Sequence, residues 1–423
     1  MTANPPIPIV VPRRRLSERA SGQFFHLTRV IANVFVPTDT EVEVLDRAYL
    51  SIGNFLADSA EFGTLTIEVH GQGSRQIGTL VRPLHVRDLG FDVDAVLLLK
   101  RAALQRYPGS DGARRLINDL YAVLKRYADQ HGLKIERWER CVTLVYANDV
   151  RVDVAPVIED PLVAIPSGET HALIPDRLLQ RYAPTNPRGI EHGFNSAAKI
   201  QANFPRRLVE GMTLDKAMRG DVTPLPDVEV VSARLLSIFV QLMKVHRNIS
   251  FGAPQDGVED LSPASIFITF LAAAGYTLQA PRPHDTPLDL LLDVFDAMLL
   301  CFEREELANG GQRWSLPNPW APGDDLATSM NSPQKQAAFL QWHELFSEQI
   351  GQLLDSLEQR AGEDVIEKLV HNAFGPRAAR AVRDDAAPVA PTRQAGRPVI
   401  FATAAGAITS VAARANTNFG SPD

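Results

Sequence analysis

Asp92 and Asp94 lie two residues apart in Phe91-Asp92-Val93-Asp94-Ala95-Val96-Leu97-Leu98-Leu99, where valine, leucine and phenylalanine mark a buried strand. Side chains at i and i+2 of a strand share a face, so both acids project from one spot. Two neighbouring anions are costly to desolvate without a neutralising partner. Paired acids of this kind point to a divalent cation, and hard oxygen ligands favour Mg2+ or Mn2+. A third carboxylate, Asp153, sits among apolar residues in Val150-Arg151-Val152-Asp153-Val154-Ala155-Pro156-Val157. Upstream, a strand-like run enters Gly71-Gln72-Gly73-Ser74. Glycine there lets backbone approach a triphosphate, while the serine hydroxyl and the amides of a following helix donate to phosphate oxygens. Three acids on two strands and such a turn fit nucleotidyl transfer, in which two metal ions clamp the attacking and departing oxygens. The third acid would complete the metal that activates the hydroxyl and help remove its proton.

Each piece alone has a plainer reading. An Asp-x-Asp strand is also a solvent-facing alternation, a Gly-Ser turn a helix cap, and Asp153 an edge-strand charge. The order of the three makes the catalytic reading the stronger one.

The elements that must position these residues follow from periodicity. Helical spacing covers Glu41 to Ala57, a strand covers Thr64 to Val69, and a helix is expected to leave the glycine turn over Arg75 to Leu80. Arg82 to Leu89 reads as loop. Residues 112–131 form an amphipathic helix closed by Gly132. Arg140 to Ala147 and Val150 to Ile158 read as strands joined at Asn148-Asp149. From about residue 190 the pattern changes to helical segments over 195–210, 230–247, 263–275, 286–308 and 333–373. The expected organisation is a flexible arm at 1–15, an α/β catalytic lobe at 16–190, a mostly helical lobe at 191–375, and a flexible tail at 376–423. The tail holds one strand-like island, Pro398 to Ala402.

Composition sets limits on the partners. A net charge of -7 argues against a protein that coats nucleic acid. Cys141 and Cys301 make neither a disulfide nor a zinc pattern, and both read as small buried hydrophobes. The ten histidines lack ligand spacing. No apolar run reaches membrane-spanning length, and the proline-rich start is unlike a signal peptide, so a cytoplasmic enzyme is expected.

At these residues the chain resembles the DNA polymerase β-like nucleotidyltransferase superfamily, and within it the bacterial CD-NTases, the cyclic-oligonucleotide synthases of CBASS anti-phage systems. The resemblance rests on Gly71 to Thr79 with Arg82-Pro83, on Phe91 to Asp94, and on Val152-Asp153-Val154. Looser echoes are Thr185-Asn186-Pro187-Arg188-Gly189, the helix around Lys244, Ser265 to Ala273, and Leu316-Pro317-Asn318-Pro319-Trp320. Two departures stand out. Seventeen residues separate Ser74 from Asp92, read as a surface insertion over Val81 to Gly90, and Asp324-Asp325 replaces an asparagine.

The resemblance implies an α+β, two-lobed fold: a mixed sheet with helices plus a mostly helical second lobe. It implies Mg2+ (or Mn2+) on Asp92, Asp94 and Asp153, and a triphosphate on Gly73 and Ser74. Lys244 would reach the phosphates across the cleft, its plainer reading being a helix-surface lysine. Arg75 and Gln76 would face phosphate or base, or form an exposed first turn. The implied reaction joins nucleoside triphosphates, ATP or GTP among them, into a cyclic di- or trinucleotide second messenger, releasing pyrophosphate. A ubiquitin-like E1/E2 conjugation enzyme or a HORMA-domain regulator is the implied partner, with the tail as a conjugation thread or an added strand. No double-stranded DNA activator is expected, since zinc-ligand clusters and long basic stripes are missing. The alternatives are transfer to RNA or protein (nucleotide addition or AMPylation) and a non-catalytic nucleotide-binding scaffold.

Overall fold

The computed structural model describes residues 17–82, 91–146, 150–162, 168–204, 228–252, 257–386, 399–402 and 408–411. The arm at 1–15, most of the Val81 to Gly90 insertion, the Asn148-Asp149 turn and the end of the tail lie outside them.

Two large cores, with a small third cluster of Val96, Val157 and Ala172, pack the described residues up to Val382. The first is built on a seven-stranded mixed sheet. Its strands are β1 (Thr66–Gln72), β2 (Asp92–Leu99), β3 (Lys134–Arg137), β4 (Val142–Val145), β5 (Arg151–Glu159), β6 (Ala172–Asp176) and β7 (Arg181–Thr185). β1 pairs antiparallel with β2, β2 pairs parallel with β5, and β4 runs antiparallel to β5. The parallel pair needs a long crossover, and the helix expected at 112–131 supplies it. It spans Gly109–His131 and stops at Gly132 in the left-handed region (φ 65°), with Gly132 N–H bonded to Ala128 O. Its buried stripe (Leu116, Leu120, Val123, Leu124, Tyr127) packs with Val93, Ala95, Leu97 and Leu99 of β2 and Val152, Val154 and Ile158 of β5. That packing uses one parity of each strand. The other parity is where the three aspartates stand.

Helix Asp39–Ala57 covers the sheet beside β1, opened by a capping box in which Thr38 and Glu41 bond reciprocally. The second core is helical: Glu18–Asn33, Pro187–Ala198, Val228–Phe251, Ser265–Gln279, Pro287–Ala297, Pro333–Glu358 and Glu363–Ala386.

Several expectations need correction. The sequence pattern predicts no helix over Glu18–Asn33, which the expected boundary assigns to the catalytic lobe at 16–190, yet the segment is helical. It packs in the helical core through Phe24, Phe25 and Ile31, and its N-cap Ser17 donates Oγ to Glu358 Oε2 at 2.8 Å. The segment expected at 195–210 starts earlier, at Pro187, because Asn186 caps it and proline suits the first turn. The run at 286–308 ends as helix at Ala297, then makes a hairpin from Glu303–Glu306 and Gln312–Ser315. The run at 333–373 is two helices, parted at Arg360 (φ 57°), Ala361 and Gly362. Helix also continues past residue 375, where the tail was expected to begin. Gly375 (φ 81°) breaks the geometry and Pro376 opens a further stretch, which buries Ala378, Ala379 and Val382. Beyond Val382, Val399–Ala402 pairs antiparallel with Ile408–Val411, so the island is one arm of a hairpin.

Candidate active site

Asp94 is the register partner of Asp153 across the parallel β2–β5 pair. Paired residues point to the same face, and Asp92 joins them by strand period. The same face carries Gln72, opposite Asp94 on β1, and Thr143, opposite Asp153 on β4. Thr143 Oγ1 donates to Asp153 Oδ1 at 2.5 Å. Arg151, opposite Asp92 on β5, is ion-paired with Glu136 at 3.2 Å.

The electrostatics follow from that crowding. Desolvation pushes the Asp94 carboxyl up to about 7, aided by the charges of Asp153 and Asp92 and opposed by Lys244. Asp92 is raised by desolvation and then by Asp153, with Arg151 opposing. Asp153 is raised by desolvation and held back by its Thr143 bond and by Arg151. Cys141, half-buried, lies within the field of the same acids, and its thiol is pushed up to about 12, chiefly by burial.

The Gly-Ser turn abuts this face directly. Gly73 has φ +74°, and a Cβ there would lie 1.9 Å from Asp94 Oδ2. Gly71 leaves room for Gln76, whose Nε2 would be 2.3 Å from a Cβ at that position. The helix expected over Arg75 to Leu80 is replaced by a single 3-10 turn, Gly73–Arg75, because the chain reverses at Gly78 (φ 66°). Any anion held there would therefore meet the amides of a tight turn rather than a long helix N-terminus. Arg75 is ion-paired with Asp46 of the Asp39–Ala57 helix.

Gln72, Gly73, Ser74, Asp94 and Thr185 on the sheet side line a cavity of about 400 Å³, which Glu191, Lys244, Ser265 and Thr269 line from the helical side. Lys244 is not a surface lysine. It is 5% exposed, donates to Thr79 O and Oγ1 at 3.2 Å each, and its pKa is lowered to about 8, mainly by burial.

The donor set fits a divalent cation. Three hard carboxylates share one face, and their pKa values are raised first by burial and then, at Asp92 and Asp94, by repulsion from Asp153, a cost that a cation would relieve. Among the described residues no three acidic, histidine or cysteine side chains are already drawn up as a metal cage. Shared face and register, rather than a preformed cage, make the fit.

Two motifs of the helical half turn out to be one structure. Asn186 is fully buried, accepts from Gly189 N at 2.7 Å and donates Nδ2 to Trp320 O at 2.8 Å. Trp320 lies against Gly189 and Gly193, where a Cβ would come within 2.5 and 2.0 Å of it. Asp325 organises the adjoining turn by accepting from Ser315 Oγ, Leu316 N and Ala327 N. Asp324 accepts from Asn318 Nδ2 at 2.9 Å. The sequence reading missed Thr143, Ser237 and Gln241. Thr143 could have been found as a polar residue inside an apolar strand.

Comparison with known proteins agrees with this geometry. Residues 25–197 match the Second Messenger Oligonucleotide or Dinucleotide Synthetase domain. A c-di-GMP synthase of Roseivirga ehrenbergii is 27% identical over 285 residues, which is 67% of this chain and 66% of that one. The cyclic dinucleotide synthase CdnG of Bradyrhizobium diazoefficiens is 27% identical over 331 residues, 73% of this chain and 75% of that one. The structure of B. diazoefficiens CdnG in complex with GTP superposes with a TM-score of 0.58 at 19% identity, covering 85% of this chain and 97% of that one. The E. coli MS115-1 CdnC:HORMA-deltaN complex gives 0.54 at 13% identity, covering 85% and 98%. Likeness at such identities speaks for the fold.

The fold and the sequence match together define a polymerase β-like nucleotidyltransferase, with a mixed sheet and a helical second lobe. Residues 25–197 thus match the synthetase domain of second-messenger oligonucleotide or dinucleotide synthesis, and the chain resembles the bacterial CD-NTases, whose named relatives are cyclic dinucleotide synthases.

Proposed function

We propose that this chain is a Mg2+-dependent synthase that condenses two nucleoside triphosphates into a cyclic dinucleotide and releases pyrophosphate. The observation that carries the reading is the register of Asp94 with Asp153, together with the cavity that Asp94 and the Gly-Ser turn line jointly with residues of the second lobe.

Asp92, Asp94 and Asp153 would hold Mg2+, with Mn2+ as a substitute. Bound there, the metal would supply Lewis-acid stabilisation of the charge that develops on phosphate and leaving group. Ser74 and the Gly73 backbone would bind the triphosphate, and Lys244, from the helical side, would add positive charge. Asp153, which accepts a bond from Thr143, would take the proton of the attacking hydroxyl. Residues of both cores would flank the substrate in the cavity.

The relatives' names, c-di-GMP synthase and a CdnG bound to GTP, favour GTP among the substrates, with ATP as the other purine choice. The product would serve as a second messenger in anti-phage defence. Among the described residues no helix is long and apolar enough to cross a membrane, and nucleoside triphosphate substrates would favour a cytoplasmic reaction. A HORMA-domain protein, as in the CdnC complex, or an E1/E2 conjugation enzyme acting on residues 376–423, would be the regulator.

Incubation with Mg2+ and each labelled nucleoside triphosphate, followed by phosphatase, tests the reading. Small phosphatase-resistant products support it. Label appearing only on RNA or protein would favour the macromolecular transferase, and bound but unreacted nucleotide would favour the scaffold.

A further inference from the structure

Ser237, Gln241 and Lys244 lie on one face of the Val228–Phe251 helix, at spacings of four and three. All three donate to one short stretch of backbone in the other core. Ser237 Oγ bonds Ile77 O at 3.2 Å. Gln241 Nε2 bonds both Gly78 O and Leu80 O at 3.2 Å. Lys244 Nζ bonds Thr79 O at 3.2 Å. Four consecutive carbonyls, in a stretch that is neither helix nor strand, thus take their partners from a single helix face about 160 residues away in sequence. The stretch is tied to the Gly-Ser turn, because Thr79 N bonds Ser74 O at 2.8 Å. Gln241 is 3% exposed and does not line the cavity. Its two donated bonds close against main chain alone.

We propose that Gln241, with Ser237, is a positioning residue for nucleotide binding, holding the Gly73–Leu80 turn at the height from which Ser74 meets the triphosphate. The inference rests on the nucleotide role proposed above for Ser74. It extends that role to two side chains that touch no substrate. The physical ground is that the turn's own backbone bonds, Gly78 N to Arg75 O and Thr79 N to Ser74 O, leave the carbonyls of Ile77 to Leu80 to be met from the helix face. The stretch is one 3-10 turn reversed at Gly78, so its carbonyls have neither a helix nor a sheet to bond. Buried carbonyls without partners are costly, so the turn takes whatever position satisfies them. The helix face fixes that position and thereby the distance between Ser74 and Asp94. The helical half then bears on substrate affinity without contacting substrate.

Gln241→Met keeps side-chain length and removes both donors. Its affinity for a non-hydrolysable GTP analogue with Mg2+, measured well below the melting transition, is expected to fall about tenfold. Ser237→Ala should give a smaller loss that Ser237→Thr restores, since threonine keeps the hydroxyl. The pair decides the matter if Gln241→Met does not fold. A folded Gln241→Met, or Ser237→Ala, that melts earlier yet binds the analogue like the parent would overturn the proposal, because a merely structural role predicts that result. Asp94→Asn serves as the separate control. If it abolishes turnover while Gln241→Met binds normally, the positioning role alone is wrong; if Asp94→Asn stays active, the nucleotidyl-transfer site itself is wrong.

Discussion

A β-carbon added at Gly73 would lie 1.9 Å from Asp94 Oδ2, so the glycine-serine turn and the central carboxylate touch through the one position without a side chain. Gly73→Ala should therefore displace Asp94, the turn, or both. The left-handed φ adds strain of about 1 kcal/mol. Displacements near 1 Å in a reacting geometry cost about 100-fold in rate, and product formation should fall by at least about that factor. The fold should survive, as circular dichroism would show. An alanine variant that turns over like the parent would mean the turn and Asp94 do not act together.

Asp94 ties stability to pH in the direction opposite to a salt-bridged acid. Its carboxyl is raised from 3.8 to about 7, chiefly by desolvation. The folded state then holds the proton more tightly than the unfolded chain does. The unfavourable contribution is absent below the unfolded value, grows as pH rises between the two, and is complete above the folded one. In metal-free protein, Asp94→Asn should raise the melting temperature at about pH 8 and leave it unchanged near pH 4. Turnover should be lost in the same variant. Mg2+ should stabilise the parent more at about pH 8 than at about pH 5, where it must displace a proton. Equal stabilisation at both would remove Asp94 from the metal set.

Glu41 behaves in the reverse sense. Its carboxyl accepts from Arg82 and caps the Asp39–Ala57 helix, and the Arg82 bond is the main reason it is lowered from 4.5 to about 2. The stability it contributes is fully present above the unfolded value and is lost as pH falls through the folded one. Glu41→Gln should lower stability at neutral pH and flatten the acid-unfolding curve between those limits. A variant whose acid limb matches the parent's would show that the pair adds nothing.

Trp320 rests on a helix face made of Gly189 and Gly193. Gly193→Val would drive a branched side chain into the indole, and overpacking of this kind costs about 1–3 kcal/mol. Thermal denaturation should show the corresponding fall. Gly351, whose Cβ would meet nothing within 4 Å, is the control position for a helical glycine.

The aspartates were readable because strand period and β-branched neighbours state which face a residue takes. Asp92, Asp94 and Asp153 needed only that rule, and β2–β5 register added the third coordinate. The end of the Gly109–His131 helix was readable for a similar reason, since Gly132 marks it locally. What escaped was decided by partners distant in sequence. Lys244 looks like any helical lysine until Thr79 is brought to it. Ser237 and Gln241 carry no local signal of the carbonyls they meet. The Glu303–Ser315 hairpin follows directly on an apolar helix, and its mostly polar strands Glu303–Glu306 and Gln312–Ser315 carry no period-2 apolar signal of their own. Trp320 and Asn186 read as two separate motifs because only folding joins them.

The shared face of Asp92, Asp94 and Asp153 is tested most directly by replacing the first two with alanine and measuring cyclic product from labelled GTP and ATP under saturating Mg2+. The paired substitution should leave no phosphatase-resistant product while the protein stays folded. Product formed at the parent rate would contradict the account, because it would remove Asp92 and Asp94 from the proposed metal site.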